Sequence, residues 1–128
     1  MSLANGDSAR YFAAAQEGRL VFQTCADCGA VQHPPRHHCA TCWEANLSFE
    51  PSSGKGTVES FTIVRRAPLP AYRDKVPYVV ASILVEEGPR MIATLTGADA
   101  LDVAIGDTVT VAFEANVNGD TLPVFARA

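Results

Sequence analysis

The apolar positions of this chain change rhythm at Pro51-Ser52-Ser53-Gly54-Lys55-Gly56. Upstream, Tyr11, Phe12 and Ala15 recur at the i, i+3/i+4 spacing of one helix face. Asp7 and Ser8 are good N-cap residues and Gly18 is a stop, so the pattern predicts a short helix over 9–17. A helix of that length is marginal alone, and its apolar face needs the rest of the protein or a partner. Leu20 to Thr24 then predicts a strand running into Cys25, and Leu47 to Glu50 a strand that returns.

Downstream the period is two. Thr57 to Val64 alternates, with Val58, Ser60, Thr62 and Val64 on one side and Thr57, Glu59, Phe61 and Ile63 on the other. A polar, proline-bearing loop fills 65–75. Strands are predicted over 76–86 and 90–96, joined as a hairpin by Glu87-Gly88-Pro89. The connection 97–106 has room for one helical turn near 98–101. Two last strands, 108–114 and 122–127, flank the hairpin signal Asn118-Gly119-Asp120. Five strands with a helix-capable insert between the third and fourth match the order of an OB-type barrel, with an open antiparallel sheet or small sandwich as the competitor. The expected organisation is a helical segment over 1–19, a cysteine-bearing ribbon over 20–53 and a β domain over 54–128. Met1-Ser2-Leu3 reads as a cloning remnant.

Composition narrows the partners. The 128 residues carry a formal net charge of −4. Four thiolates around one Zn²⁺ would add about −2. A module that grips phosphate backbones is usually basic, so this balance argues against nucleic acid. No apolar run reaches the roughly 18 residues of a membrane span. The first residues have neither a basic nor an apolar leader region, so the cytoplasm is the expected compartment. There, paired cysteines bind metal more often than they form disulfides.

Cys25-Ala26-Asp27-Cys28 and Cys39-Ala40-Thr41-Cys42 are two Cys-x-x-Cys pairs separated by ten residues. A two-residue spacer lets both sulfurs of a pair face one ion, and two pairs close a tetrahedron of soft ligands suited to Zn²⁺, or to iron as its usual substitute. A closed four-cysteine site leaves no open position for water or substrate, so its expected role is structural. Within a unit too small for its own core, such an ion is the staple. His33, His37 and His38 lie between the pairs, but four cysteines already fill the shell. Trp43 is expected to cover the metal site or pack on the β domain, or else to anchor an interface.

Together, several features resemble one family: Cys25-x-x-Cys28-Gly29, Pro34-Pro35-Arg36-x-x-Cys39-x-x-Cys42, Gly54-x-Gly56-Thr57-Val58, Pro77-Tyr78, Gly106-Asp107-x-Val109 and Leu122-Pro123-Val124-Phe125. They resemble the two-domain zinc-ribbon/OB-fold proteins once catalogued only as a domain of unknown function. The likeness spans about Ala9 to Arg127. This chain departs from the family at His33, where an aromatic residue usually precedes the proline pair. The resemblance implies a mainly β fold, with an N-terminal helix and rubredoxin-like zinc ribbon followed by a five-stranded OB-fold barrel. It implies an acyl-CoA-associated partner of a thiolase, ketoacyl synthase or hot-dog hydratase in lipid, steroid or polyketide metabolism. No catalytic residues come with it.

The residues themselves contain no Gly-x-Ser-x-Gly, no phosphate loop and no cysteine outside the metal set, so a non-catalytic protein is expected. Basic residues concentrate at Arg65, Arg66, Arg73 and Lys75, with Tyr72 and Tyr78 close by. Together with Tyr78 these are the candidate ligand-binding residues, able to hold the phosphates of a CoA thioester. The alternative is a single-stranded nucleic-acid-binding OB protein. Against it, the second and third barrel strands offer one aromatic residue, Tyr78, and almost no cations.

Overall fold

A computed structural model describes residues 6–128. Its elements are helix α1 (Ala9–Gln16) and strands β1 (Val21–Cys25), β2 (Val31–Gln32), β3 (Leu47–Pro51), β4 (Lys55–Val64), β5 (Tyr78–Val85), β6 (Arg90–Thr96), β7 (Thr108–Ala115) and β8 (Thr121–Arg127). Single 3-10 turns lie at Gly6–Ser8, Pro70–Tyr72 and Ala100–Asp102. Met1-Ser2-Leu3 lies outside the described residues. Among the described residues no helix is long and apolar enough to cross a membrane.

Helix α1 starts after Ser8 and ends as its apolar face predicts. The Arg19 N–H reaches back to the Ala14 carbonyl at 2.9 Å and the Gly18 N–H to Ala15 at 3.0 Å, a Schellman cap. Tyr11, Ala14 and Ala15 are buried and Phe12 packs against the same core. β2, β1 and β3 form an antiparallel sheet in that order, with Gln23 opposite Gln32 and Phe49 on the two neighbouring strands.

The downstream strands close into a barrel, β4-β5-β6-β8-β7, the OB order expected from the sequence. On β5, Val79, Ala81, Ile83 and Val85 face inward; on β6, Met91, Ala93 and Leu95 do. Val109 and Phe125 complete the centre with essentially no exposed surface. Gly56 is a close-approach position: a Cβ there would stand 2.6 Å from Ile83 Cγ2 and 3.0 Å from the Leu84 carbonyl oxygen.

One alternation differs from expectation. The register of β4 against β5 shifts between Val58 and Ser60. Such a bulge exchanges the faces of the residues beyond it. Val58 is buried, but Phe61 and Ile63, not Ser60 and Thr62, pack against the core after the shift.

Ribbon and barrel share one apolar cluster, in which Tyr11, Leu20, Val21 and Phe22 join the barrel residues. The Gln16 amide clasps Thr121 on β8, donating to its carbonyl and accepting from its N–H, both at 3.2 Å. Between the two parts, Ser52 and Ser53 are held by Glu87: the Ser52 hydroxyl donates to its carboxylate at 2.8 Å and the Ser53 N–H does the same. Hydrogen bonds from the Ser53 N–H and the two serine hydroxyls hold the Glu87 carboxyl below its ordinary range, against the opposing effect of burial, which is the largest single influence.

Candidate functional site

The two cysteine pairs fold alike. In the first, the Cys25 N–H donates to Ala30 at 2.9 Å and the Gly29 N–H to Cys25 at 2.9 Å. In the second, the Cys39 N–H donates to Glu44 at 2.8 Å and the Trp43 N–H to Cys39 at 2.9 Å. Each is a knuckle that turns its two sulfurs inward. All four sulfurs lie within 4.8 Å of one another, with Cys25 to Cys42 at 3.5 Å and Cys28 to Cys39 at 3.6 Å. A tetrahedral ion with metal–sulfur bonds of about 2.3 Å needs sulfur–sulfur edges of about 3.8 Å, so the set fits one such ion. Backbone N–H groups of Cys42 and then Thr41 pull the Cys39 thiol down, while the Cys28 and Cys42 thiols are raised, so Cys39 is the sulfur of these three most readily held as a thiolate.

Between the knuckles, the loop is held by two residues that the sequence did not single out. Gln23 is 4% exposed. Its amide donates to the Arg36 carbonyl at 2.8 Å and its oxygen accepts from the Arg36 N–H at 2.8 Å. Gln32, opposite it, donates to the same Gln23 oxygen at 2.8 Å and accepts from the Ala40 N–H at 2.8 Å. The pair thereby places the loop that delivers Cys39. The signal was present as two glutamines beside cysteine knuckles, but nothing in spacing reveals that they are cross-strand partners.

Trp43 corrects one expectation. It neither covers the sulfurs nor packs on the barrel: it is 78% exposed. It occupies the position that Gly29 holds in the first knuckle, with φ of +69° beside +78°. The turn demands a left-handed residue there, and that backbone aims the indole into water.

The three histidines lie apart from the sulfur set. His37 is 3.6 Å from the Asp7 carboxylate and stacks edge-on with His38. His33 fills the aromatic position, its ring centroid 5.0 Å from Tyr11 and 5.5 Å from Phe22. Its Nδ1 is the one buried side-chain polar atom without a partner among the described residues. Burial pushes its pKa below the ordinary 6.5. The unfolded chain therefore takes up a proton below about pH 6.5 while the folded chain does not, and stability falls as pH drops through that window. His33→Phe is expected to add about 1–2 kcal/mol at neutral pH by removing the unpaired nitrogen, and to flatten that acid limb. Urea unfolding of both proteins from pH 7.5 to pH 5 measures this; parallel pH profiles would show that His33 is not the source.

A second feature lies on the barrel. β6 and β8 are paired, in parallel, only at Leu95↔Phe125 and Thr96↔Ala126. Below those rungs the strands part and leave a cleft of about 420 Å³. Val80, Ile92, Leu122, Pro123 and Val124 supply apolar lining, and Tyr72, Lys75, Tyr78, Glu114 and Asn116 supply polar groups. Tyr72 and Tyr78 have centroids 6.3 Å apart, with the Lys75 ammonium 6.0 Å from the Tyr72 ring. The Glu114 carboxylate accepts the Thr96 hydroxyl.

Of the residues singled out from the sequence, Lys75 and Tyr78 line the cleft; Arg65, Arg66 and Arg73 do not. These arginines and Lys75 are all exposed, and among the described residues none is in an ion pair. By contrast Arg90 is paired with Glu59 at 2.6 Å and Arg127 with Asp107 at 3.0 Å.

A four-cysteine ribbon built of two knuckles, joined to an OB barrel, defines the class: a two-domain zinc-ribbon/OB-fold protein. Residues 12–48 match the ChsH2 rubredoxin-like zinc ribbon domain and residues 49–114 the ChsH2 C-terminal OB-fold domain. The chain belongs to this ChsH2, or DUF35, family. It is 36% identical over 124 residues to a probable enoyl-CoA hydratase alpha subunit of Thermomonospora curvata, covering 97% of this chain but only 38% of that protein. A DUF35 domain-containing scaffold protein of Methanothermobacter thermautotrophicus is 33% identical over 99 residues, 77% of this chain and 74% of the other. Among solved structures, one named Ltp2-ChsH2(DUF35) aldolase superposes with a TM-score of 0.86 at 35% identity, covering 96% of this chain and 95% of that one.

Proposed function

We propose that this chain is a non-catalytic accessory subunit that holds a CoA thioester for a partner enzyme of thiolase, ketoacyl synthase or hot-dog hydratase type. In this reading Cys25, Cys28, Cys39 and Cys42 hold one structural Zn²⁺. The ion would supply no chemistry to a substrate, because four thiolates fill its shell; it staples the ribbon.

The observation that carries the ligand reading is a loop with four exposed cations, Arg65, Arg66, Arg73 and Lys75, none in an ion pair among the described residues, of which Lys75 lines a cleft with apolar walls. CoA combines a pyrophosphate and a 3′-phosphate with an apolar acyl end, and an arginine fork matches phosphate oxygens. The relatives' names support the partner reading, since they place similar chains in hydratase and aldolase assemblies and in scaffolds. A single-strand nucleic-acid reading gains little: the outward face of β5 and β6 presents Tyr78, Val80, Ile92 and Thr94, and its one cation, Arg90, is paired with Glu59.

Calorimetry with octanoyl-CoA tests the reading. Arg65→Ala or Arg66→Ala should weaken binding by roughly ten- to a hundredfold, the loss of one charge-assisted contact worth about 1.5–3 kcal/mol. No heat with the native chain, alone or with the partner enzyme, would remove the ligand. Unchanged affinity in both variants would keep the ligand but move its phosphates off this loop.

A further inference from the structure

We propose that the cleft between the parted ends of β6 and β8 receives the acyl-pantetheine arm of the thioester. The inference rests on the CoA-thioester reading above and adds where the reactive half of the ligand lies. Its grounds are shape, lining and backbone.

At about 420 Å³ the cleft falls in the range of small-molecule sites. Its lining is mixed in the way an acylated pantetheine is mixed. Val80, Ile92, Leu122 and Val124 offer an apolar surface for an acyl chain, and Lys75 with Tyr72 and Tyr78 lines the same cleft within the segment that carries the free arginines.

Ile92 is an outward-facing strand residue, 70% exposed, and lies outside the buried core to which its neighbours Met91 and Ala93 contribute.

The backbone adds a second, independent reason. β6 is paired along its length with β5, but from Arg90 to Thr94 it has no strand neighbour on the β8 side. β8 from Thr121 to Val124 is paired only with β7. The β6 edge therefore faces the cleft open, while on the β8 side Gln16 already holds both backbone groups of Thr121 and Pro123 has no N–H. Pantetheine is an extended chain with two amide groups, able to exchange hydrogen bonds with the β6 edge as an added strand does. An acyl chain alone would ignore that edge. A peptide would satisfy it, but would make no use of the free cations.

The test uses three probes: CoA, octanoyl-CoA, and octanoyl-pantetheine, which lacks the phosphates. Isotope-labelled methyl groups are read by NMR while affinity is measured by calorimetry. The expected result is that octanoyl-CoA and octanoyl-pantetheine both shift the methyl signals of Ile92, Leu122 and Val124, leaving those of Ile83 on the inner face unmoved. Affinity should rise roughly tenfold for every two methylenes from butyryl- to octanoyl-CoA. Ile92→Asp, a change at an exposed site, should erase that chain-length dependence. Octanoyl-CoA that binds with no shift in the cleft methyls, or with the same chain-length dependence in Ile92→Asp, would overturn the cleft assignment while the CoA reading stands. Cleft shifts with octanoyl-pantetheine but no gain from the phosphates would support the cleft and count against the cationic loop. Absence of binding by all three probes would overturn both.

Discussion

Cys39→Ser is expected to lose the metal and open the ribbon. Among the described residues four sulfurs are the only close ligand set, and His33 is packed between Tyr11 and Phe22. Structural zinc in small domains contributes about 10–16 kcal/mol of apparent binding energy at neutral pH. β1, β2 and β3 contain only twelve residues between them and cannot replace a term of that size by packing. Loss of one ligand should therefore leave well under one metal per chain. Amide exchange should accelerate across β1 to β3 and in the loop held by Gln23 and Gln32, more than in the β5–β6 hairpin. Elemental analysis and hydrogen exchange measure the two effects. A variant that keeps one metal per chain and native protection would exclude the four-cysteine site.

The second large effect is at the barrel centre. Phe125→Ala should cost about 3–5 kcal/mol, a large part of the roughly 5–15 kcal/mol that separates folded from unfolded domains. Phe125 has no exposed surface and sits at the rung where β8 crosses to pair with β6. Truncation leaves a cavity at the last point where these strands are joined, so the barrel cannot close over it without moving the rung. Denaturant midpoints measure the loss. A cost below about 1 kcal/mol would mean that the strands collapse onto the gap, and that the closure of the barrel is not held there.

The sequence carried the parts of this fold that are local or periodic. Strands β5 and β6 follow from alternation over Tyr78–Val85 and Arg90–Thr96, while the number and order of strands suited an OB barrel but equally an open sheet or small sandwich, a choice decided by the closure of β4 to β8. The sulfur cluster follows from two short spacers, because the chain between two cysteines of a pair has few ways to run. What the sequence did not carry is non-local. The bulge between Val58 and Ser60 depends on how β4 meets β5, and no residue there announces it. Strand β2 is two residues long and exists because Gln23 and Gln32 bond across it to the loop. The cleft depends on where β6 and β8 stop pairing, so Ile92 and Leu122, thirty residues apart, have no common signal. Arg65, Arg66 and Arg73 share a loop with Lys75 in sequence, yet only Lys75 lines the cleft.

Trp43 has one more consequence, for how the molecule can be watched. It is the chain's single tryptophan, and it sits next to Cys42 with its indole in water. An indole already surrounded by solvent emits at long wavelength, because water relaxes around its excited state. Unfolding of the barrel should therefore change the emission colour very little, and a denaturation curve read by tryptophan emission would be nearly blind to it. Docking of another surface over the second knuckle would instead move the emission toward the blue, so the fluorophore reports contact at the ribbon rather than integrity of the core.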